Sequence, residues 1–169
     1  MSSTAKAKTL RRREFMDLVK NACQDSLTGK QADAQSRSTM NLLKIHFNAN
    51  YRIHYELMIS AENGVIELGL HFEDGPESTA ALLEFFDTYV LEIKDRLGVS
   101  FEVERWTKSW GHCFEIHPIE PLTPAFARRL GNRLGEVIEV LQPILDEAFA
   151  REIASETPRP SSGRRRFRR

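Results

Sequence analysis

Histidine and glutamate side chains recur at alternate positions in the middle of this chain, where hydrophobic periodicity predicts β-strands. Imidazole nitrogens and carboxylate oxygens are the usual protein ligands of zinc and related transition metals. Side chains two residues apart in a strand point to the same face of a sheet, so these groups can meet on one face. They are His46, His54, His71 and His117, with Glu56, Glu67 and Glu73. A metal site is one interpretation of this pattern.

The expected hairpin register favours another interpretation, a ladder of ion pairs. Asn63-Gly64 is typical of a two-residue type I′ turn, which fixes the pairing on either side of it. The resulting pairs are Glu56 with His71 and His54 with Glu73, and, across a three-residue loop at 48–50, His46 with Arg52 and Lys44 with His54. Opposite-charge cross-strand pairs stabilise a sheet by about 0.2–1 kcal/mol each. The sequence therefore predicts no metal site and no cofactor.

A second hairpin, with strands at Phe101–Arg105 and His112–Ile116, brings two glutamates together. The expected register sets Glu102 opposite Glu115, a like-charge pair that needs a neighbouring cation such as His117. Two adjacent carboxyl groups are also what a general acid/base couple requires. A small hydrolase that uses these glutamates and the sheet histidines is therefore one functional hypothesis.

The tip of that second hairpin combines aromatic and basic side chains. It contains Arg105, Trp106, Lys108 and Trp110. Aromatic rings interleaved with cations can stack on bases and hold phosphates. Tryptophans near a hairpin end also cover the rim of a core or a subunit interface. A ligand surface and a core or dimer contact both remain open.

Recognised catalytic motifs are absent from the sequence. It has no P-loop, no Gly-x-Ser-x-Gly elbow and no Rossmann glycine pattern. Its two cysteines, Cys23 and Cys113, are far apart and have no catalytic histidine beside them, so they are expected to be buried small hydrophobes. We predict no catalytic residues and a non-enzymatic protein.

The formal net charge of zero conceals an acidic middle between two basic ends. Residues 1–20 carry six basic and two acidic groups, and residues 151–169 carry seven arginines and two glutamates. Residues 21–150 hold 11 basic and 20 acidic groups, a net charge of −9. Basic blocks of this kind are usually interaction segments rather than parts of a core.

Most of the C-terminal charge lies in one short basic tail. It consists of Arg164, Arg165, Arg166, Phe167, Arg168 and Arg169. Arginine clusters bind phosphates without regard to sequence and lose affinity as salt rises. The tail can equally dock on an acidic protein surface, on the acidic body of the same chain or of a second copy, or serve only solubility.

The hydrophobic periods predict an α+β fold with the order α-β-β-β-α-β-β-α. A mostly antiparallel five-stranded sheet with helices stacked on its apolar face is the economical packing. We expect three segments: an N-terminal helix with a polar linker at 1–40, the α+β domain at 41–150, and a disordered Arg-rich tail at 151–169. The first helix, at 9–27, is expected to dock loosely or on a neighbouring subunit.

This order of elements resembles that of bacterial type III secretion chaperones and the related YbjN-like domains. The resemblance covers roughly residues 9–149 and concerns topology only, without a shared motif. It implies a small, dimeric, non-catalytic protein that binds another polypeptide. The basic tail does not belong to that pattern.

The distribution of apolar residues predicts where the protein is found. No apolar run approaches the roughly 20 residues that cross a bilayer, and no signal-peptide core is evident, so a cytoplasmic protein is expected. The leading hypothesis is a non-enzymatic, homodimeric binding protein whose basic C-terminal tail engages nucleic acid or an acidic protein surface. The alternatives are a chaperone-like or adaptor module that binds a polypeptide, and the small hydrolase.

Overall fold

The computed structural model describes residues 8–159 and has the predicted α+β architecture. The elements in chain order are α1 (Arg12–Ser26), a 3-10 turn (Gly29–Asp33), β1 (Gln35–Ser38), β2 (Leu42–His46), β3 (Ile53–Ser60), β4 (Val65–Phe72), α2 (Pro76–Asp87), α3 (Val90–Leu97), β5 (Glu102–Arg105), β6 (Gly111–Pro118) and α4 (Pro124–Ala150). The strands form one antiparallel sheet in the order β1-β2-β3-β4-β6-β5.

The sheet has six strands, so the prediction of five was wrong. The additional strand, β1, lies in the stretch 29–40 that was expected to be a polar linker. It pairs with β2 at the sheet edge, from Gln35 opposite His46 to Ser38 opposite Leu43. Its side chains are polar and mostly exposed, so no alternation of apolar and polar residues marks it in the sequence.

The register between β3 and β4 differs by two residues from the prediction. The turn is not the two-residue Asn63-Gly64 type, because residues 61–64 form a four-residue loop in which Gly64 adopts a φ of 67°. His54 therefore lies opposite His71, and Ser60 opposite Val65. The predicted placement of each histidine directly opposite a glutamate is therefore wrong, although His54 Nε2 still lies 3.9 Å from Glu73 Oε1.

The loop between β2 and β3 is also longer than the predicted one at 48–50. Lys44 lies opposite Glu56 instead of His54, and Ile45 lies opposite Tyr55. The predicted partner of His46 was Arg52, but His46 pairs with Gln35 of β1. A shift of two residues keeps every side chain on its predicted face, which explains why the apolar face was still predicted correctly.

The register between β5 and β6 differs by one residue, which changes the faces. Glu102 lies opposite Phe114 and Glu104 opposite His112. Glu115 pairs with Leu68 of β4 and is buried among helix-facing side chains. The predicted pair of Glu102 with Glu115 is therefore wrong.

Helix α1 packs on α4 of the same chain, and not loosely. Phe15, Met16, Val19 and Cys23 are fully buried. The crossing is close because α4 has glycine at two positions four residues apart. A Cβ on Gly131 would lie 2.5 Å from the Val19 carbonyl oxygen, and a Cβ on Gly135 would lie 2.0 Å from Ser26 Oγ.

The helices cover the apolar face of the sheet and enclose the core. The stretch predicted as one helix after Pro76 forms two, α2 and α3. Helix α4 begins as predicted, with the Thr123 hydroxyl accepting from the Phe126 N–H at 3.2 Å. None of the described helices has the length and apolar composition needed to cross a bilayer.

The chain after α4 packs against the end of the sheet through residues up to Arg159. Asn50 donates from Nδ2 to the Ser155 carbonyl at 2.8 Å, and Ala154 is buried. The Arg159 backbone N–H donates to Asp74 Oδ1 at 3.2 Å. These contacts hold the first part of the predicted tail against the end of β4. The three-segment division itself stays a prediction.

Candidate metal centre

Three histidines stand in a row across the central strands, on the face of the sheet away from the helices. His54 of β3 lies directly opposite His71 of β4, which lies directly opposite His112 of β6. Their exposed fractions are only 1%, 1% and 2%. Burial of three titratable rings on a face without helices requires specific partners for their nitrogens.

Carboxylates from β3 and from the residue after β4 converge on the first two histidines. We call this group the four-residue site; its members are His54, Glu56, His71 and Glu73. One ligand atom from each lies within 4.8 Å of all the others. His54 Nε2 is 3.2 Å from Glu56 Oε2 and 3.9 Å from Glu73 Oε1, and His71 Nδ1 is 3.9 Å from Glu73 Oε1. Ligand atoms about 2.1 Å from a tetrahedral zinc are about 3.4 Å apart, so small side-chain movements would close this site on an ion.

The backbone fixes the orientation of the His54 ring. Its Nδ1 donates to the Tyr51 carbonyl at 2.9 Å, so Nε2 carries the lone pair when the ring is neutral. That nitrogen faces Glu56 Oε2 at 3.2 Å. A lone pair and a carboxylate at this distance both accept hydrogen bonds, and they need a shared cation between them.

Glu67 orients the His71 ring in the corresponding way. Its Oε1 lies 3.3 Å from His71 Nε2, which leaves the lone pair of the neutral ring on Nδ1. That Nδ1 is buried and has no hydrogen-bond partner among the residues described. His112 Nδ1 donates to the same Glu67 oxygen at 3.0 Å. Burial alone would raise the pKa of Glu67, but the hydrogen bonds from His112 and His71 outweigh it and lower the pKa to about 2.

Lysine 44 supplies the positive charge next to the four-residue site. Its Nζ lies 3.1 Å from Glu56 Oε2 and 3.6 Å from Glu73 Oε2. Burial would raise the pKa of Glu56, but His54, His71 and Lys44 together lower it. Glu56 can therefore act as a charged ligand at neutral pH.

The hairpin tip covers the other end of the histidine row. Trp106 stacks on His112 with ring centroids 5.5 Å apart and meets His71 edge-on at 5.7 Å. It keeps an exposed fraction of 43%, and Trp110 one of 40%. Arg105 donates to the Lys108 carbonyl at 3.2 Å, and both residues are exposed. Of the predicted tip residues, Trp106 thus borders the site, while the two cations face solvent.

Glutamate 115 has a separate environment on the helix side of the sheet. Arg133 of α4 donates to it from Nε at 2.7 Å and from Nη2 at 2.8 Å, and His117 Nε2 lies 2.9 Å away. Burial would raise its pKa, but the bonds from Arg133 and His117 lower the pKa to about 2. Glu102 bonds instead with Lys94 at 3.0 Å. The two glutamates do not form an acid/base couple.

Both cysteines are buried and free, as predicted. Burial raises the pKa of the Cys23 thiol to about 12 and that of Cys113 well above its usual value. Neither is a reactive thiolate at neutral pH.

The predicted basic tail, Arg164–Arg169 with Phe167, lies outside the described residues, so its role stays a prediction. The sequence predicts no metal binding at the four-residue site, because the expected register pairs His54 and His71 each with a glutamate. A signal for it was present: the tripeptide pattern His-x-Glu occurs at 54–56 and again at 71–73, in two strands that pair. Because side chains two residues apart in a strand lie on the same face of the sheet, the histidine and the glutamate of each pattern lie on one face.

The topological resemblance to type III secretion chaperones stays a prediction about function. A comparison with protein-family models, curated proteins and solved structures found no match to this chain.

Proposed function

We propose that this protein binds a divalent transition-metal ion at the four-residue site on the open face of its sheet. One observation carries the proposal: His54 Nε2 and His71 Nδ1, the nitrogens that carry the lone pair in the neutral rings, both face carboxylates. The opposite nitrogen of each ring is held by a second acceptor, the Tyr51 carbonyl in one case and Glu67 in the other. Outer partners of this kind orient the histidine ligands of metal sites.

The donor atoms define the class of ion. Two imidazole nitrogens and two carboxylate oxygens suit zinc and neighbouring first-row ions such as manganese, iron(II) and cobalt. Magnesium and calcium prefer sites made of oxygen atoms alone. Zinc is therefore the reference ion, and magnesium is the negative control.

A proton is the competing occupant. If His54 were an imidazolium, it and Lys44 would balance the charges of Glu56 and Glu73 without any metal. That arrangement satisfies the contact of 3.2 Å at His54 Nε2. It leaves the buried His71 Nδ1 without a hydrogen bond from the described residues. A metal ion satisfies both nitrogens, which is why we favour it.

The experiment is a zinc titration of the full chain against a chromophoric chelator, after metal has been removed. We expect one zinc per chain and no measurable response to magnesium. His71→Gln and Glu73→Gln should weaken zinc binding by more than about 100-fold, beyond the usual effect of losing an outer partner. The matched control is His117→Gln on the other face of the sheet, which should bind as the wild type does.

Circular dichroism separates loss of the site from loss of the fold. Because Glu73 keeps 19% of its side chain exposed, Glu73→Gln is the variant better placed to fold normally. Equal zinc affinity in the wild type and in a folded Glu73→Gln variant would disprove the proposal. So would the absence of zinc binding by the wild type at micromolar concentration.

A further inference from the structure

A basic pocket adjoins the four-residue site and shares two of its residues. We call it the basic pocket; it is a cavity of about 440 Å³ between the sheet edge and the loop before β3. His54 and Glu73 line it. Three cationic side chains line it as well, namely Arg37 of β1, Lys44 of β2 and Arg52.

Charges in and around the basic pocket balance when no metal ion is bound. Lys44 lies beside Glu56 and Glu73, and Arg52 Nη1 lies 3.4 Å from Asp74 Oδ1. With neutral histidines, the three cations and three carboxylates cancel. A divalent ion in the four-residue site would add two positive charges, more than the one further negative charge of Glu67 behind His71, and would therefore attract an anion at short range in a partly enclosed cavity.

Metal binding would also release a donor into the basic pocket. Glu56 Oε2, which now contacts both Lys44 and His54, would bind the ion and give up its contact with the ammonium group, while Glu73 faces the histidines with Oε1 and keeps Oε2 for Lys44. Arg37 forms no salt bridge with the residues that the structure describes and is exposed at the pocket mouth. Guanidinium and ammonium groups around one cavity match the several oxygens of a phosphate.

We propose that the basic pocket binds a phosphate-class oxyanion when the four-residue site holds its metal ion. This inference rests on the proposed metal binding and adds the ligand class to it. The cavity is large enough for a phosphate monoester as well as for free phosphate. Tyr51, whose exposed fraction is 56%, lines the pocket and offers a ring for the organic part of such an ester.

The two binding events are then thermodynamically coupled. If bound zinc raises the affinity for phosphate by some factor, bound phosphate raises the affinity for zinc by the same factor, because coupling between two sites is reciprocal. A pocket that bound phosphate only through its own cations would show no such reciprocity. Coupling is therefore the property to measure.

The test is calorimetry with the full chain, either loaded with zinc and dialysed or treated with chelator. The probes are inorganic phosphate, glycerol phosphate and, as a carboxylate of similar charge, malonate. We expect both phosphates to bind the zinc-loaded protein at least tenfold more tightly than the chelator-treated protein. Stronger binding of glycerol phosphate than of inorganic phosphate would identify an ester as the ligand, and the reverse would identify the free ion. Stronger binding of malonate than of both would overturn the assignment to phosphate.

Arg37→Gln separates the pocket from the metal site. Because Arg37 is not a metal ligand, this variant should keep wild-type zinc affinity and lose phosphate affinity by about tenfold or more, the effect of one charge-assisted hydrogen bond. The matched control is Arg128→Gln, an exposed arginine on α4, which should change neither. Equal phosphate affinity in Arg37→Gln and in the wild type would overturn this inference.

These experiments distinguish failure of the metal site from failure of the basic pocket and from failure of the coupling between them. If zinc binds but no probe binds the zinc-loaded protein, the basic pocket is refuted and the metal proposal stands. If zinc fails to bind, the metal proposal falls and this inference falls with it. If phosphate binds equally with and without zinc, the coupling is refuted while both sites remain.

Discussion

Glycine 69 in the central strand β4 lies in contact with the next strand, and replacing it should damage the sheet. A Cβ at this position would lie 2.1 Å from the Cys113 carbonyl oxygen and 2.7 Å from the Phe114 Cα. Both are backbone atoms of β6, so no side chain can rotate to make room. Gly69→Ala therefore forces β4 and β6 apart at the residue pair next to the histidine row.

Two opposing effects determine how much Gly69→Ala changes the free energy of unfolding. Alanine restricts the unfolded chain, which by itself would stabilise the protein by about 0.4–1 kcal/mol. Overpacking a well-packed interior costs about 1–3 kcal/mol, and occasionally more. An approach of 2.1 Å to a backbone atom belongs at the upper end of that range. We expect a net loss of about 2 kcal/mol in the free energy of unfolding, or about 4–8 °C in Tm for a chain of this size.

Urea denaturation followed by circular dichroism measures this loss, and Gly111→Ala is the matched control. A Cβ on Gly111 would meet the Leu83 Cδ1 at 2.8 Å, the end of a flexible side chain. Its cost should stay below about 1 kcal/mol, because that side chain can change rotamer. Equal stability of Gly69→Ala and the wild type, or a greater loss in Gly111→Ala, would refute the reasoning.

Three further predictions concern the rest of the chain. Glu115→Gln leaves Arg133 without its buried partner and should lower the free energy of unfolding by up to about 3 kcal/mol at pH 7, as urea titration would measure. The pKa of Glu115 is about 2 when folded, against 4.5 for an unperturbed carboxyl. The stabilisation from ionised Glu115 is therefore complete above about pH 4.5 and is lost as the pH falls towards 2. If the difference in the free energy of unfolding between the wild type and Glu115→Gln did not change between about pH 4.5 and 2, the lowered pKa of Glu115 would be contradicted. Thr123→Ala removes the N-cap of α4 and should cost about 1 kcal/mol, whereas Thr123→Ser should cost much less; similar losses in the two would show that the hydroxyl is not the cap. Deletion of 160–169 should abolish salt-sensitive binding of single- or double-stranded nucleic acid, measured by fluorescence anisotropy at low salt, and binding that survives the deletion would exclude the tail as the ligand site.

The sequence predicted the strands that have one apolar and one polar face. It did not predict β1, which is polar on both faces. Alternation around Ile53–Ser60 and Val65–Phe72 identifies β3 and β4, because one face is apolar and the other polar. Strand β1 was missed because its side chains are polar on both faces, and only backbone pairing to β2 makes it a strand. No local pattern in a sequence encodes such an edge pairing.

The candidate site depended on the register, which one turn decides. Asn63-Gly64 is typical of a two-residue turn, but Gly64 is instead the last residue of a four-residue loop. That difference places His54 opposite His71 rather than opposite Glu73, so the histidines form a row and the glutamates contact them from neighbouring positions. Local turn statistics could not distinguish the two, since both registers put the same residues on the same faces.

The attachment points of the two basic ends lie near opposite ends of β4. At the N-terminal end, the Leu10 N–H donates to the Leu122 carbonyl at 2.7 Å. Leu122 follows Ile119 by three residues, and the Ile119 N–H donates to the carbonyl of Gly64, the residue just before β4. Arg159 is held by Asp74, just after the strand. A strand of eight residues is about 25 Å long, well beyond the distance at which substitutions interact. Removing one basic end should therefore leave the anchor of the other intact, so the two ends can be tested by separate deletions.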